Sequence, residues 1–371
     1  MVSFADPRSR APYHMHDMIL RQPAFVQETL RRTGSVDARS FLGTPRRIVV
    51  TGCGTSFHAA TYGARVLQVA YGGRAHVEAV HAYDLLHGPS VVRRATVVGV
   101  SHSGATETTN RALVRSKRAG ARVLGLCGLP DSPMERIAEA TLVLGDTHDR
   151  SWANTMSYTT QLTAFAQLAT SAGGDLDGAQ ASLRRLPDAL RRTLRCEAAT
   201  RRIARAVAAR ERVTFLGSGL DDVTALEAAL KIRETCSMTA SGYATEQFLH
   251  GPFLSLDRGD AIVAMRSRDD GPRAAWILDA LRPASGYLAS FGEVPGIDVR
   301  LPAVPSVLRP IVSVVPMQFI AYYAALARRT NPDIMRSDVA RYQPGLELLF
   351  SWRPRRGPSL RSSRPRRRSG G

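Results

Sequence analysis

The chain has 371 residues, 44% of them hydrophobic, and a formal charge of +18; that length is enough for two ordinary domains with real cores. No apolar run of the ~20 residues needed for a membrane span is expected, and the opening MVSFADPRSRAPYHMH lacks the apolar stretch of a secretory leader. Four scattered cysteines (Cys53, Cys127, Cys196 and Cys236) show neither metal-ligand spacing nor a paired framework, so a reduced, cytoplasmic protein with no metal and no cofactor is expected.

From the N-terminus, MHDMILRQPAFVQETLRRT reads as one or two helices within a segment over 1–35. A first α/β domain, 36–180, opens at Arg46 with RRIVVTGCGTSFHAATYGARVLQ: a β-branched strand, Gly52 and Gly54, then an amphipathic helix. LLHGP, ending at Pro89, leads to the apolar strand ATVVGV, then VSHSGATETT at 100–109, a helix ending near Gly120, and the strand ARVLGLCG. Residues 182–211 have helical period and contain a linker, 181–205, to a second domain over 206–345. There the pattern repeats: ERVTFLGSGLDDVTALEAALKIRE from Glu211, FLHGP ending at Pro252, the strands DAIVAM and GYLASFG, and a last helix through PMQFIAYYAALARRT ended by Asn331–Pro332. Strand, helix, strand, helix, strand at this spacing predicts two tandem domains, each a parallel sheet flanked by helices.

The final stretch, 346–371, is expected to be a disordered tail. From Arg353 it carries eight arginines and no acid, so it accounts for much of the positive charge and offers polyanions only non-specific contacts. Nucleic acid beyond such non-specific contacts is therefore not expected as a partner, and neither is a membrane.

The hydroxyls at 100–109 fall where a strand turns into a helix. In a parallel α/β sheet ligands bind outside the carboxyl ends of the strands, where helix N-termini suit a phosphate. Ser101, His102, Ser103, Gly104 and Thr106 form one such turn, and Cys53, Gly54, Thr55 and Ser56 form another at the end of the first strand. Helix capping would use one hydroxyl per turn. The matching turn of the second copy, MRSRDDG (Met265–Gly271), has the fold's spacing without the hydroxyls, so the fold alone does not demand them.

Glu227, Lys231 and Glu234 lie at i, i+4 and i+7, on one helical face. A surface ladder of ion pairs would look the same. Apolar neighbours Leu226, Leu230 and Ile232 argue for a packed helix instead, and the chain has only two lysines, Lys117 and Lys231, against 48 arginines. Arginine cannot replace an amine with an adjustable pKa.

These motifs together (CGTS at Cys53, SHSGAT at Ser101, ANTMSYTTQLT at Ala153, LEAALKIRE at Leu226 and HGP at His250) resemble the sugar isomerase (SIS) family, in particular the isomerase half of glucosamine-6-phosphate synthases. The resemblance runs from about Met18 to Arg341 and implies a phosphosugar isomerase or amino-sugar phosphate deaminase acting on a hexose 6-phosphate derivative. It implies that the carboxylate of Glu234 moves a proton between C1 and C2, and that His250, from the neighbouring subunit of a homodimer with shared sites, assists ring opening. Lys231 joins them as a catalytic residue, and Asn154, Thr155 and Glu227 are expected to touch the sugar. A glutaminase domain is absent from the resemblance, and residue 2 is Val, so glutamine-dependent activity is not expected.

Departures from the pattern keep two alternatives open: a sugar-phosphate-binding protein with little turnover, and an ammonia-dependent synthase-like aminotransferase. The synthase motif ASTK becomes Ala153–Met156, Gln247 replaces a carboxylate before HGP, and NPDIMRSDVARYQ from Asn331 has Arg336 and Arg341 but no lysine to form a Schiff base with a ketose.

Overall fold

The run Thr96–Ser101, TVVGVS, is buried at all six positions because it is the central strand of a parallel sheet covered on both faces. The structure, a computed structural model, describes residues 6, 8–89, 92–173, 176 and 178–351. Within the unit Pro7–Met335, the first sheet consists of β1 (Arg47–Thr51), β2 (His76–Ala79), β3 (Thr96–Ser101), β4 (Arg122–Cys127) and β5 (Ala140–Val143), in the order β2-β1-β3-β4-β5. The second consists of β6 (Arg212–Gly217), β7 (Thr239–Ala244), β8 (Asp260–Arg266), β9 (Tyr287–Gly292) and β10 (Val299–Arg300), in the order β10-β9-β8-β6-β7. Read from the β7 edge, the second sheet has the connectivity of the first. All pairings are parallel.

The central strands are those read from the apolar runs. The edge strands β2, β5, β7 and β10 were not anticipated, since HVEA, ATLV, TASGYA and VR are short and carry little apolar signal. In β7 the small residues have a packing reason: a Cβ on Gly242 would approach the Ala225 carbonyl oxygen to 2.4 Å.

The N-terminal segment forms two helices, His14–Leu20 and Gln22–Thr33, and a short third, Ala38–Leu42. The region between the sheets is three helices, Ala179–Leu183, Leu186–Leu194 and Glu197–Ala208. Leu186, Leu190, Ile203 and Val207 join the same buried cluster as Val50 of β1 and Phe215 of β6, so these helices belong to the core.

Three expectations need correction. The helix Arg309–Ala327 ends before Asn331–Pro332, with Arg329 already in the left-handed region at φ 56°. Ser306–Ala327, 22 residues with mean hydropathy 1.5, is also long and apolar enough to cross a membrane by length and composition, contrary to the sequence reading; 83% of it is buried inside the protein, which explains its apolar character. The unit containing the C-terminal residues has a helix, Gln343–Ser351, so the stretch from 346 does not begin as tail; its GLELLF has the apolar content a helix needs. The arginine-rich stretch from Arg353 lies outside the described residues.

Candidate functional site

The order β2-β1-β3-β4-β5 reverses direction between β1 and β3, and in such sheets the crevice outside the carboxyl ends at that point binds ligands. Both hydroxyl turns lie there. Gly52–Gly54 connects β1 to the helix Thr55–Tyr71, and 102–106 connects β3 to the helix Glu107–Arg118. Neither helix has a side-chain cap: Gly54 and Thr106 occupy the cap positions without a capping hydrogen bond. The hydroxyls therefore do not serve as caps; the Ser56 and Phe57 N–H groups bond the Cys53 and Gly54 carbonyls at 3.1 and 2.9 Å, so the first helix offers an anion chiefly the positive end of its dipole. Gly104, at φ 61°, is needed twice over, because a Cβ there would also meet Ser132 Oγ at 2.4 Å.

Within the cradle, Ser101 Oγ and Thr106 Oγ1 bond each other at 2.9 Å, and Ser103 Oγ accepts from the Ala105 N–H at 3.2 Å. Ser56 Oγ accepts from Gln161 Nε2 at 3.1 Å, which ties the first turn to the helix Met156–Gly173. Cys53 is half-buried, its Sγ accepts from Thr109 Oγ1 at 3.7 Å, and burial pushes its thiol up. It is no thiolate nucleophile.

His102 turns away from the cradle. Its Nε2 accepts from the Asp149 N–H at 3.1 Å, and burial, with His148 close by, pushes it down to about 4. Asp149 Oδ2 in turn accepts from the backbone N–H groups of Thr155 and Ser157, at 2.7 and 3.2 Å, so it caps the helix Met156–Gly173. Burial pushes Asp149 up to about 6, against the pull of those two donors. The sequence reading missed Asp149; an acid six residues before a buried hydroxyl stretch is a faint signal. It also missed Ser157 and Gln161, both inside ANTMSYTTQLT.

The acid–base cluster is buried, which removes the surface-ladder alternative. Glu227 and Lys231 are fully buried and the Glu234 side chain is 21% exposed. Lys231 Nζ lies 2.5 Å from Glu234 Oε2 and 3.3 Å from Glu227 Oε1, and donates to Thr55 Oγ1 at 3.1 Å. Thr55 Oγ1 donates to Glu227 Oε1 at 3.0 Å, and His58 Nδ1 is 2.7 Å from Glu227 Oε2. His58, one turn along the helix from Thr55, was another residue the sequence reading passed over. Burial opposes the charge on Lys231, but Glu227 and Glu234 outweigh it and raise the amine to about 12. Lys231 is thus held as an ammonium. Glu227 works against burial too, yet Lys231, His58 and Thr55 bring it below the usual carboxylate range. For Glu234 burial prevails over Lys231, and its carboxyl sits above that range, as suits a group that accepts and returns a proton.

Near these groups, Thr155 Oγ1 and Gln161 Oε1 are buried without a hydrogen-bond partner. Buried polar atoms are ordinarily satisfied, and Gln161 also bonds Ser56 of the first turn, so a polar ligand at that turn would find an open acceptor. Asn154 is half-buried beside them, its N–H bonded to the Trp152 carbonyl at 2.8 Å. His250 is not gathered into the cluster. It follows the short helix Thr245–Phe248, its side chain is 68% exposed, and Nε2 lies 3.9 Å from Glu246 Oε1.

Residues 42–171 match the SIS domain family model. This chain carries a SIS domain. Over 349 residues it is 31% identical to the isomerizing glutamine–fructose-6-phosphate aminotransferase of Symbiobacterium thermophilum, a match that covers 86% of this chain and 57% of that protein. The chain spans little more than half the length of that relative, and the homology is to its isomerase half. In fold it is similar to the C-terminal domain of glucosamine–fructose-6-phosphate aminotransferase from Francisella tularensis (TM-score 0.80, 23% identity, 88% of this chain and 99% of that one). It is also similar to glucosamine-6-phosphate deaminase from Thermotoga maritima (TM-score 0.74, 17% identity, 87% and 98%).

Proposed function

We propose that this SIS chain is a phosphosugar isomerase or amino-sugar phosphate deaminase that works on a hexose 6-phosphate derivative. The observation that carries the reading is the continuous hydrogen-bond chain from Thr55, in a phosphate-type turn, through Glu227 and Lys231 to Glu234. It couples a place for a phosphate to a carboxylate whose proton affinity is raised. The phosphate binds between the two uncapped helix N-termini, with Ser101, Ser103, Thr106 and Ser56 turning their hydroxyls toward it.

Aldose–ketose exchange moves one proton between neighbouring carbons, and it needs one base that reaches both. Glu234 takes the proton from C2 and returns it to C1. The hydroxyl proton of O2 is given up as O1 gains one by exchange with solvent, and the Lys231 ammonium fixes the carboxylate's orientation. In a deaminase the same transfer precedes loss of the amine. No metal or redox cofactor enters such a sequence.

The second sheet, with the connectivity of the first, is read as a second SIS-type unit, so that the domains run over 36–180 and 206–345. His250, exposed in the single chain, is free to act on the ring oxygen at the site of a second subunit in a homodimer. A cytoplasmic location fits this metabolism.

The test is proton exchange. In D2O, fructose 6-phosphate, glucose 6-phosphate and glucosamine 6-phosphate are incubated with the protein and followed by NMR. Deuterium at C1 or C2, or release of ammonia, is the expected result. Tight binding across the panel with no exchange would favour the binding-protein reading, which Gln247 and the absence of a lysine at Arg336 or Arg341 support.

A further inference from the structure

The arginine-rich tail does not hold all of the positive charge. Residues 181–205 alone carry eight arginines and two acids, a net charge of +6, and they belong to the helices Ala179–Leu183, Leu186–Leu194 and Glu197–Ala208. These helices bury Leu183, Leu186, Leu190, Ile203 and Val207 in the core, which turns the opposite face to solvent. All eight arginines are exposed. Charge matching within the fold uses few of them. Asp188 holds Arg191, and Arg201 lies over the Tyr323 ring, 5.4 Å from its centroid. The second acid, Glu197, is taken by His16 and Tyr323. Among the described residues, the side chains of Arg184, Arg185, Arg192, Arg195, Arg202 and Arg205 have neither a hydrogen bond nor an ion pair.

Helix electrostatics explain only part of this excess. The dipole favours a cation at a helix C-terminus, which suits Arg192, Arg195 and Arg205. Arg184 and Arg185 stand at the N-terminus of Leu186–Leu194, where the dipole opposes them, and Arg202 is in mid-helix. The basic face also extends beyond these helices. Arg328 bonds the Ala208 carbonyl at 3.2 Å, at the end of Glu197–Ala208. Beside Arg184, a crevice of about 520 Å³ is lined by Arg31, Arg191 and the side chains of Gln27 and Gln167, with Asp188 the one acid on its wall.

Exposed guanidinium groups without acids to match them are the footprint of a polyanion. The composition of the face chooses among polyanions. Residues 178–211 contain no aromatic, and Tyr323 is covered by Arg201, so the stacking platform that holds a single strand is missing. The exposed apolar residues of the stretch are alanines, whereas a helix on a membrane surface needs large apolar anchors. Guanidinium forks, by contrast, match phosphate oxygens. We infer that the outer face of residues 181–205 binds the phosphate backbone of a nucleic-acid duplex, independently of its base sequence. Contrary to the expectation drawn from composition, the contact with nucleic acid then belongs to the folded helices and not to the tail. It uses none of the residues of the phosphosugar site and stands or falls apart from that site's chemistry.

Fluorescence anisotropy of the full chain with two labelled DNA duplexes of unrelated sequence tests this. Both should bind alike, and the logarithm of affinity should fall linearly with the logarithm of salt concentration. Arg192→Gln, Arg195→Gln and Arg202→Gln together should lower that slope by about 2–3, close to one per lost phosphate contact, and weaken binding roughly tenfold or more at low salt. The three side chains are exposed, so the variant should melt at the parent's temperature. The control removes the same charge from the tail, by Arg366→Gln, Arg367→Gln and Arg368→Gln, and should change the slope by less than half as much. Equal loss in the two triple variants would assign the binding to net charge or to the tail and overturn the inference. So would the absence of duplex binding at about 50 mM salt. Capture of phosphatidylserine vesicles but not of duplexes, lost in the Arg192, Arg195 and Arg202 variant, would give the face to a membrane and overturn it as well.

Discussion

Thr55 Oγ1 donates to Glu227 Oε1 over 3.0 Å, and 172 positions separate the two residues in the chain. The bond joins the first residue of a helix at the phosphate-type turn to the helix that carries the candidate base. Because Glu227 is fully buried, it has no solvent to replace a lost partner, and the connection is rigid. It couples what would bind the phosphate to what would move the proton.

Glu227→Gln should therefore be costly to the fold. It takes from Lys231 one of two carboxylate partners and leaves Glu234 at 2.5 Å, so the cost should stay below the roughly 3–5 kcal/mol of breaking a lone buried pair from one side. Urea denaturation measures the loss. Adding Lys231→Met should recover part of it, since the ammonium with one carboxylate fewer is then gone. A single variant as stable as the parent would show that Glu234 alone compensates the buried ammonium.

Ser103→Ala addresses the cradle. Its hydroxyl accepts from the Ala105 N–H, a local turn contact that is worth little when lost at an exposed position. Stability should stay within about 0.5 kcal/mol, while affinity for a hexose 6-phosphate falls by about 1.5–3 kcal/mol, the value of one hydrogen bond to a charged group. Calorimetry with fructose 6-phosphate separates the two effects.

Much of this site was legible because chemistry and period coincide. The hydroxyl turns follow strands whose apolar runs are unmistakable, and Glu227, Lys231 and Glu234 fall on one face by helical spacing alone. What spacing could not show is that this face is buried, nor that Lys231 is an ammonium clamped between two acids rather than an adjustable amine. Asp149 was hidden for a different reason. It acts from a loop, where no periodicity marks it, through backbone N–H groups that a sequence does not display. The edge strands escaped because two to six residues of mixed polarity leave no pattern. The apolar helix Ser306–Ala327 was under-read because Tyr, Gln and Ser interrupt a stretch that the core nevertheless buries.

His102 and Asp149 titrate with opposite effects on stability. His102 sits at about 4 in the fold against an ordinary 6.5. Between these values the unfolded chain binds more protons, so His102 adds stability as pH rises and loses it in acid. Asp149 sits at about 6 against 3.8, so the folded chain binds more protons between about 4 and 6, and stability falls as pH rises there. The two slopes largely cancel. His102→Gln keeps an acceptor for the Asp149 N–H and removes only the first slope. On going from pH 7 to pH 4.5 the variant should gain about 2–3 kcal/mol relative to the parent, as read by urea denaturation at each pH. A constant gap between the two proteins would mean that His102 binds its proton equally well in the folded and unfolded chain.

Glu234→Gln tests the chemistry itself. The substitution keeps the shape of the side chain and a carbonyl oxygen toward Lys231, and removes the group that exchanges the proton. In the proposed site the phosphate end is held by the two helix N-termini, so KM should change little while kcat falls by about 10²–10⁴-fold, the usual worth of a general base. Stability should drop modestly, because Lys231 retains Glu227 as a charged partner at 3.3 Å. The pH profile adds a second readout. The Glu234 carboxyl lies above the usual carboxylate range through burial, so the acid limb of kcat/KM in the parent should fall above the ordinary carboxylate value and vanish in the variant. Borohydride with fructose 6-phosphate should trap no adduct, since Lys231 is held protonated at about 12 and a protonated amine is no nucleophile. Unchanged deuterium exchange in Glu234→Gln would take the base away from this residue, and a reduced adduct on Lys231 would move the chemistry to an imine.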